Sequence, residues 1–174
     1  MSNGDQNWLD SQAIQQILPH RPPFVWVDRI VALSPGRAAR GVKMVSRDDP
    51  LAPLGSDSCF PRVLMLEAIA QVAAVALMAS PTSVAGEPAP GWEPADRDAS
   101  SEVIPLFAGM EMVHFGRPAR AGDVIEIEVE VERVRRSAAR VRGRCRVEGE
   151  MAVEGTFLFA REERRNAGST GVAG

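Results

Sequence analysis

Apolar positions first gather behind Asp10-Ser11, where Ala13, Ile14, Ile17 and Leu18 recur near the helical period. An N-cap signal followed by that spacing predicts a short helix over 11–18, ended by Pro19. After His20-Arg21-Pro22-Pro23, the run from Phe24 to Val31 is rich in β-branched and aromatic residues and predicts a strand. Pro35-Gly36 turns the chain into a weaker strand, Ala38 to Val45. Residues 46–61 carry Asp48, Asp49, Pro50, Pro53, Gly55, Asp57 and Pro61, which predicts a long loop.

Residues 62–79 contain no Gly or Pro, are rich in Ala, Leu and Met, and follow Pro61 directly, so they predict the main helix of the chain. It is apolar nearly all round, the pattern of a helix wrapped by protein or of a membrane span. Its shortness, the interruptions at Glu67 and Gln71 and the lack of a flanking Lys cluster favour the wrapped helix. Residues 80–101, with four prolines and two glycines, predict a long surface loop.

From Val103 onward the period is two. Ile125, Ile127, Val129 and Val131 alternate with Glu126, Glu128, Glu130 and Glu132, and Ala139, Val141, Gly143, Cys145 and Val147 alternate with Arg140, Arg142, Arg144 and Arg146. A hairpin turning at Arg135–Ser137 would set Glu126 against Arg146, Glu128 against Arg144, Glu130 against Arg142 and Glu132 against Arg140 in one register. The arginine stripe is read as a solvated face. A last strand is expected over Met151–Phe159. The layout is α+β, a curled antiparallel sheet of five to seven strands around one long central helix: a flexible stretch over 1–10, a single domain over 11–160 and a disordered tail over 161–174.

A length of 174 residues suits one domain. Twenty Lys+Arg against 23 Asp+Glu lacks the basic excess of a nucleic-acid binder. Cys59 and Cys145 are too few for a disulfide framework, and the polar N-terminus has no signal-peptide pattern, so a cytoplasmic location is expected. Any histidine chemistry has only His20 and His114 to draw on.

Four stretches, in order, resemble the FabZ-type β-hydroxyacyl-acyl-carrier-protein dehydratases. They are Ile17-Leu18-Pro19-His20-Arg21-Pro22-Pro23-Phe24 with Val27-Asp28-Arg29; Phe60-Pro61-Arg62-Val63-Leu64-Met65-Leu66-Glu67-Ala68-Ile69-Ala70-Gln71; Phe107-Ala108-Gly109-Met110 with Phe115-Gly116-Arg117-Pro118; and Ala121-Gly122-Asp123. The resemblance implies a hot-dog fold, a homo- or heterodimer joined edge to edge, a 3-hydroxyacyl chain on an acyl-carrier protein as substrate, and no metal or organic cofactor. In such enzymes a loop histidine takes the C2 proton and a helix carboxylic acid on the other subunit protonates the leaving hydroxyl.

Glu67 falls on the family's acidic position, and Gln71, one turn on, can orient it or the thioester. A carboxyl inside so apolar a helix is expected to be buried, with its pKa raised; the alternative is that Glu67 pairs with a buried arginine at the dimer seam. The family's Gly-His-Phe-Pro-Gly loop is missing. Counting back from Glu67 puts its histidine at Pro53, counting forward from Val42-Lys43 puts it at Gly55, and no histidine occurs between 21 and 113. His20 is read as structural, with His114 a second substitute candidate. Cys59 is expected as a small packed thiol. Arg62 stands where the family has glycine, and with Arg117 is a candidate contact for an acidic carrier protein.

The expected function is a dehydratase subunit whose partner supplies the missing histidine. A non-catalytic subunit or acyl-binding scaffold, and a thioesterase on the same fold, are the alternatives.

Overall fold

A computed structural model of the protein describes residues 8–49, 58–79, 101–135 and 137–165. Asp10 caps α1 (Ser11–Ile17): its Oδ1 accepts the Ala13 N–H at 2.8 Å, and the Leu18 N–H closes the last turn on Ile14. Two short strands follow, β1 (Arg29–Ser34) and β2 (Ala38–Met44). The strand expected over 24–31 begins only at Arg29. Trp26 and Val27 are both buried, against the alternation of a strand, and the Gln71 side chain takes the Phe24 carbonyl and the Trp26 N–H, as shown below.

The central helix, α2 (Arg62–Met78), buries Met65, Leu66, Ala68, Ile69, Gln71 and Ala74, whose directions at 3.6 residues per turn together encircle it. Only a surface that closes around a helix can accept such a pattern. Strands β3 (Ser101–Phe115), β4 (Val124–Val134), β5 (Ala138–Val147) and β6 (Glu150–Arg165) complete a six-stranded antiparallel sheet in the order β1-β2-β4-β5-β6-β3. α2 touches all six strands, so the sheet curls around it. No helix of the described residues is long and apolar enough to cross a membrane.

Glycine sets how closely sheet and helix approach. A Cβ on Gly143 of β5 would lie 2.1 Å from Cγ2 of Ile69, and one on Gly41 of β2 would lie 2.8 Å from Cγ2 of Val72. The helix side chains rest there on bare backbone.

The β4–β5 register follows the alternation: Glu126 faces Arg146, Glu128 faces Arg144 and Glu130 faces Arg142. A bulge between Val131 and Arg133 then sets Arg133 against Arg140, so Glu132 loses its expected place in the ladder. Its carboxylate still bridges Arg140 Nε at 3.0 Å and Arg142 Nη2 at 2.9 Å. β6 runs through Arg165, into the stretch expected as a disordered tail, because Arg161–Arg165 pair with Ser101–Pro105 at the start of β3. The expected loop at 80–101 falls, up to residue 100, outside the described residues, as do the tail beyond Arg165 and the N-terminus before Trp8.

β1 and β3 are the sheet edges. Leu9 exchanges both backbone hydrogen bonds with Ile30 and covers β1. β3 carries Pro105 at an edge, the position where a missing N–H is tolerated, and exposes Leu106, Phe107, Met110, Met112 and Phe115.

Replacing Gly143 by Ala would drive a methyl into Ile69, whose branched side chain is locked on all sides. A loss of about 1–3 kcal/mol is expected, measured as a lower denaturation midpoint with an unchanged slope.

Candidate active site

The one place where polar chemistry enters the wrapped helix is the pair Glu67 and Gln71. Gln71 is 1 % exposed, so every polar atom of its amide needs a partner. Its Oε1 accepts the Trp26 N–H at 2.8 Å, and its Nε2 donates to the Phe24 carbonyl at 2.7 Å and to Glu67 Oε1 at 3.0 Å. The amide thus stands in for a neighbouring strand, which is why residues 24–26 leave the sheet. Gln71, expected to support the chemistry, also clamps the opening motif to α2.

That clamp brings His20 to Glu67, with Nε2 at 3.5 Å from Oε1. Arg21 folds the turn beneath it: its Nη1 donates to the carbonyls of Leu18 at 2.8 Å and His20 at 2.7 Å. His20 Nδ1 is buried with no partner among the described residues. The Glu67 side chain is 42 % exposed and that of His20 36 %, so the burial expected for Glu67 does not occur within the single chain. The carboxyl lies at the rim of the helix, where Val63, one turn earlier, is also exposed and where Phe24 lies open to solvent. This rim presents a carboxyl group beside apolar surface.

The second histidine lies on the far side of the sheet. His114 pairs with Glu154, exposed between the buried Val153 and Gly155, so by strand alternation His114 points outward. It does not join Glu67. Arg62, at the start of α2, donates to the Gly116 carbonyl at 3.2 Å and lies 5.6 Å over the Phe115 ring. Arg117 is held by Glu148 at 2.6 Å and Glu150 at 3.0 Å; hydrogen bonding to Glu148 does most to raise its pKa further.

Cys59 is exposed rather than packed, because the next residue, Phe60, takes the buried position and stacks edge-on against Trp26. Cys145 is the packed thiol, and burial pushes its pKa well up, which leaves it unreactive. Pro53 and Gly55, where the family histidine would fall, lie outside the described residues.

A buried charge network was not foreseen. Lys43 Nζ lies 2.9 Å from Asp49 Oδ1 and 3.8 Å from Asp28 Oδ1, and donates to the Met44 carbonyl at 2.8 Å. Asp49 Oδ2 accepts the Ser46 N–H at 2.9 Å. This fastens the chain at the point where it enters the stretch before α2. No spacing rule singles out Lys43 and Asp49; only an alternation argument placing Lys43 beneath the loop would have.

A family model described as a FabA-like domain matches residues 18–158. The chain is 39 % identical over 154 residues to the 3-hydroxyacyl-acyl-carrier-protein dehydratase FabZ of Thermomicrobium roseum, covering 87 % of this chain and 92 % of that one. It is 38 % identical to the protein of the same name from Desulforamulus reducens, covering 87 % and 96 %. Among solved structures it is similar to the dehydratase heterocomplex ApeI:P from Xenorhabdus doucetiae, with a TM-score of 0.65 at 18 % identity over 86 % of this chain and 90 % of that one. A hypothetical thioesterase with coenzyme A from Streptococcus pneumoniae shares the fold at a TM-score of 0.54 and 10 % identity, covering 79 % and 87 %.

Gln71→Leu keeps the volume but strands the Trp26 N–H and the Phe24 carbonyl. Each stranded group is expected to cost about 1–3 kcal/mol, seen as a large drop in melting temperature and faster hydrogen exchange at Trp26.

Proposed function

This chain belongs to the FabZ-type 3-hydroxyacyl-acyl-carrier-protein dehydratase family, and we propose that it is a dehydratase subunit supplying the acid half of a site completed by a histidine-bearing partner. The observation that carries this reading is the half-exposed Glu67 carboxyl, held by Gln71 at the rim of an otherwise apolar helix. Dehydration needs two groups in opposite protonation states. A base takes the proton from C2, the C2–C3 double bond forms, the C3–oxygen bond breaks, and the departing hydroxyl takes a proton from Glu67 to leave as water. His114 cannot serve as base to Glu67 from the outer face of its own sheet.

The partner is a second hot-dog chain joined at the β3 edge. Exposed Leu106, Phe107, Met110, Met112 and Phe115 on an open edge strand favour a covered edge over a solvated one. The substrate is a 3-hydroxyacyl thioester carried on an acidic acyl-carrier protein. Arg62 is the better of the two candidate contacts, because Arg117 is already engaged by Glu148 and Glu150.

The isolated chain should show little turnover, since losing general-base catalysis typically removes about 10²–10⁴-fold. In a complex with a histidine-bearing hot-dog chain, Glu67→Gln should lower dehydration by a similar factor while stability changes by about 1 kcal/mol or less; His114→Ala should leave both unchanged. Single-turnover dehydration and thermal melting on the same complexes test this. Retained turnover in Glu67→Gln with a steep loss of melting temperature would make Glu67 a structural residue only.

A further inference from the structure

Two side chains converge on one oxygen of Glu67, and among the described residues none is recorded on the other. Gln71 Nε2 lies 3.0 Å from Oε1 and His20 Nε2 lies 3.5 Å from the same atom. We infer that His20 is a positioning residue for dehydration: together with Gln71 it holds Oε1 of Glu67, so that Oε2 is the oxygen that passes its proton to the departing hydroxyl. The inference rests on the dehydratase reading above and assigns His20 a part in that site.

The tautomer follows from the surroundings of the ring. His20 Nδ1 is buried with no partner among the described residues, so a proton there would be an unsatisfied donor. The proton of the neutral ring therefore belongs on Nε2, where Oε1 can accept it. This arrangement also removes His20 as the base. The nitrogen with the free lone pair is Nδ1, which is buried, while Nε2 faces Oε1 of Glu67 at 3.5 Å. Arg21 fixes the backbone by donating to the carbonyls of Leu18 and His20, so the ring is presented from a braced turn.

The chemistry gains in two ways. A glutamate side chain at a solvated rim samples several rotamers, and two donors on one oxygen select the rotamer that turns Oε2 toward the substrate. When Oε2 gives up its proton, the new carboxylate is met by the Gln71 N–H already in place and by the His20 N–H, 3.5 Å away, closing on it, which stabilise the charge as it develops. A separation of 3.5 Å suits a resting site whose contact tightens when substrate excludes water.

The experiment uses this chain in complex with a histidine-bearing dehydratase chain, with His20→Ala and His20→Gln made in this chain alone. Selective carboxyl-carbon labelling of glutamate reports on Glu67, whose resonance is the one lost in Glu67→Gln. His20→Ala should lower kcat roughly tenfold to a hundredfold with KM within about twofold, and should shift the Glu67 resonance. His20→Gln, which restores an N–H donor without an imidazole, should recover most of both. An unmoved resonance and unchanged kcat in His20→Ala, or equal losses in His20→Ala and His20→Gln, would overturn the inference. If the wild-type complex shows no turnover, the dehydratase reading itself fails, and the resonance still decides whether His20 holds Glu67.

Discussion

A helix that is apolar on nearly every face cannot lie at a surface, and most of this fold follows from α2 having that character. Met65, Ile69, Val72 and Val75 fill one side of the helix while Leu66, Ala74 and Gln71 are buried on the others, directions that no flat sheet could cover together. The sheet must curl, and where its backbone comes closest it must carry no side chain, as at Gly41 and Gly143. Burying four such side chains contributes about 1.5–3 kcal/mol each, far more than any surface ion pair of the β4–β5 ladder, so the inner face fixes the register and the charges accommodate it.

The same helix explains the site. A wrapped helix can hold a polar residue only where its hydrogen bonds are met, and Gln71 meets them with the backbone of residues 24–26. Those residues then cannot join the sheet, and the motif before them is drawn across Glu67. The placement of His20 is thus a consequence of satisfying a buried amide. Strand parity gives the opposite result for His114. One residue earlier or later in β3 would have turned it toward the helix; at its actual position it belongs to the outer row with Glu154 and Arg144.

Much of this was legible in the sequence because period carries face. The Glu/Arg alternation gave the hairpin register up to Val131, and the apolar run free of Gly and Pro gave α2 to within a residue at its C-terminal end. The failures share a cause, which is that hydrogen-bond partners distant in sequence are invisible to local pattern. Phe24–Asp28 looks like strand by composition, yet Gln71 takes the Phe24 carbonyl and the Trp26 N–H. Arg161–Arg165 looks like tail, yet β3 is long enough to pair with it. Glu132 sits in a perfect alternation and is displaced by a bulge. In the site, Glu67 and Gln71 were legible from the family motif, whereas the contact between His20 and Glu67 and the buried Lys43–Asp49 pair depend on tertiary placement alone.

The two halves of dehydration chemistry are not equally tied to the fold. The proposed acid, Glu67, is held by Gln71, and Gln71 is bound to the core by two hydrogen bonds to the backbone of Phe24 and Trp26, so any change there strands buried polar groups. A base carried on a loop outside the core has no such tie: replacing an imidazole on a loop leaves packing and the hydrogen-bond inventory of the sheet untouched. A chain of this fold can therefore lack the loop histidine and still present a fully organised carboxylic acid. On the proposed reading the acid side is built within one protomer, from α2 and the motif before β1, and the partner contributes a single basic nitrogen. The physical asymmetry between a core-anchored acid and a loop-borne base makes a division of labour between two unlike hot-dog chains an economical arrangement.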